Sequence, residues 1–417
     1  MNFPTLQKWF EKTRSSAHEP RSPKTSDKPR EQLRIGIPRV LNVWSTHQFW
    51  IGFLTALGIA PNKVVFSSDT SEDQAREFAK GRGTVDCCYP VKCMSGHYGE
   101  LLMRQKHRKI DILLSPMIYN LPSVLRGNVM NTISCPRVMA APENIKAGFI
   151  KERSVEEEFG VKYASPLVYL GDPELVPKQL YDGLKDVIPG LTPAETKSAV
   201  RAGYEALDEF NRNARRMSRQ ILERCARDNK PCLLVVARPY HMDPGIGHEI
   251  EVDLQAYGYP ILWAQYLPDD DDLMQWAFGP DIRDGYVKSP FDISDVWPSS
   301  YSSNTNEILW GAKVAARIPW IAGVIRLASY ECGMDQPTYT PVQQIVERSG
   351  TLFFSFQELD STKPAGSVKI RVETIAHYLQ KYADRIIARK LAGSPPNCPL
   401  LAAIQETGRP DALAAAS

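Results

Sequence analysis

The sequence has no apolar run of the roughly 18–20 residues that a membrane helix needs, so no span is expected. Residues 1–16, MNFPTLQKWFEKTRSS, lack the basic start and continuous apolar stretch of a secretory signal. Phe3, Leu6, Trp9 and Phe10 there fit a short amphipathic docking helix instead, and a cytoplasmic protein is expected. Net charge is also nearly absent. Lys+Arg 50 against Asp+Glu 48 leave +2, with no global pull toward nucleic acid or anionic lipid. There is no Walker-type phosphate loop and no dinucleotide fingerprint after the first strand, so ATP hydrolysis by this chain is not expected. The 8 cysteines lack the compact even spacing of a secreted disulfide scaffold. In a cytosolic chain such cysteines are metal ligands, redox groups or buried thiols.

What is present is ordinary globular material: 43% hydrophobic and 24% charged residues over 417 positions, too many for one core. Residues 1–32 are largely polar and read as a flexible leader. Short apolar strands (33–38, 63–67, 110–116) alternate with helical stretches (44–57, 71–81, 96–106), which predicts a first α/β lobe over 33–150. Residues 151–230 read as a helical connector dominated by one long amphipathic run. A second lobe over 231–391 opens on the continuous apolar strand 232–237, suited to a sheet buried on both faces. It continues with strands at 259–264, 321–327 and 351–356 and closes with a long helix, before a tail over 392–417. The expected fold is therefore α/β: two doubly wound, Rossmann-like lobes with mostly parallel sheets.

Parallel α/β sheets bind ligands outside the carboxyl ends of their strands, so reactive residues in those loops matter most. Cys87, Cys88 and Cys93 precede or enter a helix; Cys135 lies in loop-like sequence beside Pro136; Cys332 follows the strand 321–327. Proline or glycine beside a cysteine shapes a loop for iron–sulfur ligation. Spacing alone fits equally well with cysteines that are merely buried small hydrophobes. Cys232 reads as core, and Cys225 and Cys398 as incidental. Arg238 leaves the first strand of the second lobe where anions bind, and could grip a carboxylate or phosphate; His241 is placed to donate a proton. The run Asp269, Asp270, Asp271 and Asp272 reads as a solvated loop, and the aromatic stretch 276–301 as a channel lining or partner surface.

Several phrases resemble one family: Ile35-Gly36-Ile37-Pro38-Arg39-Val40-Leu41-Asn42, Cys88-Tyr89-Pro90-Val91-Lys92 with Gly96-His97, residues 131–136, residues 238–245, and Glu331-Cys332-Gly333-Met334-Asp335. The sequence is similar to CoA-substrate-specific activase-related proteins, relatives of the 2-hydroxyacyl-CoA dehydratase and benzoyl-CoA reductase subunits. The resemblance implies a [4Fe-4S] cluster between the lobes, ligated by Cys88, Cys135 and Cys332. Cys87 or Cys93 as a fourth ligand would turn an open catalytic cluster into a closed relay, and both together would support a larger cluster. Lys92 and His97 would bring positive charge to the cofactor. The implied function is the handling of low-potential electrons, delivered by a separate ATP-hydrolysing activator, for reduction or dehydration of an acyl-CoA thioester. The alternative is a non-catalytic electron relay or maturation partner. A dimer is expected, with no nucleic acid and no membrane.

Overall fold

The computed structural model describes residues 28–79, 81–82, 87–103, 109–150, 153–360 and 365–402. Most of the leader, the N-terminal docking helix and residues 403–417 of the tail lie outside the described residues, as does the end of the helix expected over 96–106.

The first sheet is built from three-residue strands. Strand β1 (Ile35–Ile37) is flanked by β2 (Val64–Phe66) and β3 (Ile112–Leu114), and β5 (Lys162–Ala164) completes the order β2-β1-β3-β5, every ladder parallel. β1 and β3 are buried throughout, as expected for strands covered by helices on both faces. A small parallel pair, β4 (Met117–Asn120) with β6 (Leu167–Tyr169), extends beyond it. The second sheet runs in the order β10-β9-β7-β8, with β7 (Cys232–Val236), β8 (Ile261–Trp263), β9 (Ile321–Ser329) and β10 (Leu352–Leu359) all parallel. In each sheet the chain first moves to one side of the opening strand and then crosses to the other. The switch points lie between β1 and β3 and between β7 and β9, where the carboxyl ends leave a crevice.

The helices that matter for the site are α1 (Val43–Ala56), α2 (Tyr89–Met103), α3 (Pro136–Phe149), α4 (Val176–Leu184), α5 (Pro193–Asp228), α6 (Ile250–Ala256), α7 (Asp271–Arg283), α8 (Ser303–Arg317), α9 (Tyr339–Arg348) and α10 (Ala365–Gly393). α5 starts at Thr192, whose side chain accepts the Glu195 N–H, and buries Ala199, Val200, Gly203 and Leu207 against α1. Gly203 lets the two helices meet: a Cβ there would lie 2.9 Å from the Phe49 ring.

Four readings change. The segment 151–230 contributes β5 to the first sheet, so the first lobe runs past residue 150. Helix α2 starts at Tyr89 rather than Gly96, with Pro90 in the first turn, where its missing N–H costs nothing. Cys135 is not in a loop but is the N-cap of α3. The aspartates 269–272 are solvated as expected, Asp270, Asp271 and Asp272 being exposed, but they are not all loop. Asp270 is the N-cap of α7 and Asp271 and Asp272 are in its first turn, while Arg215 of α5 meets Asp269 at 3.1 Å and Arg219 meets Asp272 at 2.9 Å.

Candidate functional site

The two lobes meet at their carboxyl edges through specific hydrogen bonds. The Thr70 N–H, beyond β2, donates to Asp243 Oδ2 (3.1 Å) in the turn beyond β7, and the Tyr89 hydroxyl donates to the Gly245 carbonyl (3.1 Å). Asp243 also caps its own turn, accepting from the Gly245 N–H at 2.9 Å.

Two expected ligands stand at helix starts on this edge. Cys88 immediately precedes α2, its carbonyl accepting from the N–H groups of Val91 and Lys92. Cys135 caps α3, and its carbonyl accepts from the Met139 N–H. Both cysteines therefore stand at the positive end of a helix dipole. The two cysteines pack in one cluster with Cys87, Cys93, Tyr240 and Ile246, the last two from the second lobe. Cys332 arrives from that lobe, in the turn after β9. Its thiol is within electrostatic reach of Cys88, as Cys88 is of Cys135, Cys87 and Cys93. Cys87, Cys88, Cys93 and Cys135 thus share one cluster, and Cys332 approaches it from the other lobe.

Cys332 is the accessible one. Beside it lies an open cleft of about 310 Å³ lined by Ser329, Tyr330, Glu331, Gly333, Gln336 and Gln357. Glu331 holds a left-handed φ of 62°, a conformation that a non-glycine residue adopts at a cost, so the turn presenting Cys332 is strained. Burial pushes the Cys88 thiol up to about 11 and the Cys332 thiol up to about 12, so both are neutral unless a cation binds.

Behind the cysteines lies an unbalanced group of charges. Arg238, only 1% exposed, donates from Nε to Asp335 Oδ2 (2.7 Å) and from Nη2 to Asp335 Oδ1 (2.8 Å), a bidentate fork. Asp335 also accepts from the Cys332 thiol at 3.4 Å. A second guanidinium, Arg326, projects from the centre of the buried strand β9 and is equally buried. Its Nη2 donates to the Asp335 carbonyl (2.6 Å), its plane lies 5.3 Å from the Tyr339 ring, and its Nε and Nη1 have no hydrogen-bond partner. Two buried cations thus share one carboxylate. Burial acts to raise Asp335, but the two arginines outweigh it and hold the carboxyl below its ordinary range.

His241 is enclosed: Nδ1 meets the Arg238 carbonyl at 3.2 Å, Nε2 meets Ser329 Oγ at 2.9 Å, and burial lowers it to about 4. The imidazole is neutral and ties β7 to β9. His97, set beside the cofactor by the sequence, is likewise fully buried, with Nδ1 on Ser67 Oγ (2.7 Å) and Nε2 on Thr70 Oγ1 (2.9 Å). Lys92 is exposed on α2. Arg238 is committed to a protein carboxylate rather than free for an incoming anion.

The sequence reading missed Arg326 and Asp335 as members of the site. One signal was available: Arg326 is the only charge in the nine-residue strand β9. Among the described residues, no three of His, Cys, Asp or Glu converge as a single-ion metal site. No helix among the described residues is long and apolar enough to cross a membrane.

One protein-family model, described as the CoA enzyme activase uncharacterised domain (DUF2229), matches residues 34–267. That span takes in Cys88, Cys135, Arg238 and His241, while Cys332, Arg326 and Asp335 lie beyond it. No curated protein matches the chain.

Proposed function

We propose that this chain, which belongs to the CoA enzyme activase uncharacterised-domain family, holds an iron–sulfur cluster with Cys88, Cys135 and Cys332. Family membership supports a CoA-related function. The single observation that carries the cluster reading is Arg326, a buried guanidinium that shares the Asp335 residue with Arg238 and whose Nε and Nη1 are unpartnered. An uncompensated buried cation costs several kcal/mol. Thiolate-ligated iron–sulfur clusters are anionic, so one bound beside these arginines offsets that cost.

The donor set fits the group. A cubane takes each thiolate on a different iron, so its ligands surround its corners and need not meet at one point as they would around a single ion. Three cysteines from three segments, two at helix N-termini, suit that demand. Such a cluster supplies one-electron chemistry at low potential. Arg238 and Arg326 would stabilise added negative charge, Asp335 orients Arg238, and neutral His241 holds the two strand ends together. The cleft at Cys332 admits an acceptor or a donor protein. With no phosphate loop in the chain, the electron comes from a separate ATP-hydrolysing activator, and an acyl-CoA thioester is the acceptor. The reading includes a dimeric protein of the cytoplasm.

One observation favours the relay as a second reading. Cys93 is buried one turn along α2 from Tyr89 and packs in the same cluster as Cys88. As a fourth ligand it would close the cluster to substrate.

The test is anaerobic reconstitution. The chain should turn brown and carry iron with acid-labile sulfide; Cys88→Ser, Cys135→Ser and Cys332→Ser should each lose most of it, and Cys225→Ser should not. Colourless protein, or equal loss in the Cys225 variant, overturns the assignment. A spectral change on adding an acyl-CoA separates the open cluster from the relay.

A further inference from the structure

Away from the cysteines, on the far side of Arg238, a cavity of about 50 Å³ opens between the lobes. Its polar lining includes Ser45 and Thr46 of α1, Ser123 beyond β4, Arg215 of α5, and Asn304 and Glu307 at the start of α8. A water needs on the order of 10–15 Å³ of such volume, so the cavity has room for a short chain of waters. Glu307 is 9% exposed and lies at its edge.

Glu307 is joined to the charged group by one side chain. The Asn304 amide Nδ2 donates to Glu307 Oε2 at 3.2 Å, and Asn304 Oδ1 accepts from Arg238 Nη1 at 3.5 Å. Arg238 in turn grips Asp335, which touches Cys332. The line from cavity to cysteine site is therefore Glu307, Asn304, Arg238, Asp335, Cys332. The groups facing Glu307 from the packed elements are Ser123 from the loop after β4, Arg215 from α5, Arg238 from the turn after β7 and Tyr266 from the turn after β8. Asp269 already pairs with Arg215. Burial raises the Glu307 carboxyl to about 7, against the pull of Asn304, Ser123 and the two arginines, so near neutrality it stands between its charged and uncharged forms.

The geometry points to Glu307 as a positioning residue that takes up one proton from cavity water when an external one-electron donor adds negative charge at the cysteine site. The balance is one electron into the site and one proton onto a Glu307 carboxylate oxygen, with no bond broken elsewhere. Added negative charge near Arg238 reduces the net positive field that Glu307 feels, its proton affinity rises, and the buried region keeps constant total charge. This inference rests on the cluster reading above.

The experiment is a pair of measurements on the reconstituted full chain. The midpoint potential, followed by absorbance between pH 6 and 8.5 with a reduced viologen as donor, should fall with pH at a slope approaching one proton per electron. In Glu307→Gln the slope should vanish while iron and sulfide content stay unchanged. Infrared difference spectra of the wild-type chain should show a protonated-carboxyl band gained on reduction, a readout that needs no variant to fold. A pH-independent wild-type potential, or an unchanged slope in E307Q, overturns the inference and leaves the cluster reading intact. A chain that takes up no iron overturns both.

Discussion

Arg238 and Asp335 close the second lobe's switch point as a bidentate ion pair, 2.7 and 2.8 Å long, joining the turn after β7 to the turn after β9. The same carboxylate is a counter-charge to Arg326 and accepts from the Cys332 thiol. A pair buried this deeply gives little net stability by itself, because desolvation consumes most of the attraction. Its consequence is asymmetric, and the first two predictions follow from that.

Asp335→Asn keeps the shape but leaves two buried guanidiniums without a carboxylate. Loss of one partner of a buried pair costs about 3–5 kcal/mol. The urea midpoint of the cluster-free protein should fall accordingly. A change under about 1 kcal/mol would mean that water reaches the arginines.

Arg326→Met should behave in the opposite way. It removes a cation whose Nε and Nη1 are unpartnered, so the cluster-free protein should be unchanged or more stable by up to about 2 kcal/mol. Iron retention should nevertheless drop, because the charge that favours an anionic centre is gone. If stability and iron content fell together, Arg326 would be an ordinary structural residue.

Much of this was legible in the sequence, for a physical reason. Strands buried on both faces are continuous apolar runs, and 232–236 and 321–329 announce themselves. What escaped depends on distant partners. The ion pairs of Asp269 and Asp272 depend on Arg215 and Arg219, some fifty residues upstream. Helix α3 was hidden because Cys135-Pro136 reads as loop and Pro142 interrupts the helical pattern. The cysteines could be singled out, but the charge surplus behind them required knowing that Arg238 and Arg326 compete for one carboxylate. Nor does sequence reveal that both ring nitrogens of His97 are taken, by Ser67 and Thr70.

The interface between the lobes should be sensitive to one methyl group. A Cβ on Gly245 would overlap the carbonyl of Thr70 across the junction, and it is backbone, not a flexible side-chain end, that stands in the way. Gly245→Ala should cost about 1–3 kcal/mol by forced displacement. It should also break the Tyr89 hydrogen bond to Gly245 and weaken iron retention. An alanine variant with full iron and unchanged stability would show that the lobes are not latched there.

Metal loading should release protons. Cys88 and Cys332 are neutral near pH 7.5, held up to about 11 and about 12 by burial, and must ionise to ligate. Each thiol ionised on binding makes apparent affinity rise roughly tenfold per pH unit below its own pKa. Reconstitution should therefore be more complete at pH 8.5 than at pH 7, and a weakly buffered sample should acidify as iron binds. Loading independent of pH would require thiolates already present in the free protein.

Lys390 gives a pH dependence of the opposite origin. On α10 it is fully buried, and its Nζ donates to the carbonyls of Ala315 (2.5 Å) and Ile321 (2.9 Å) and to Thr351 Oγ1 (3.0 Å). Burial lowers it from the ordinary 10.5 to about 7. Between those values the unfolded chain binds a proton that the folded chain does not, so stability must rise with pH, by at most about 1.4 kcal/mol per unit. Below about 7 both states are charged and the slope disappears. Above about 9 the raised thiols act in the opposite direction, since unfolded cysteines ionise first. Glu251 and Glu307, both raised to about 7, also titrate between pH 6.5 and 8.5, so the difference in urea unfolding between wild type and a lysine variant over that window isolates the lysine. Lys390→Met should be the more stable protein at pH 6.5, with its advantage shrinking toward pH 8.5. Parallel curves would mean that the ammonium keeps its proton, stabilised by its three oxygen acceptors.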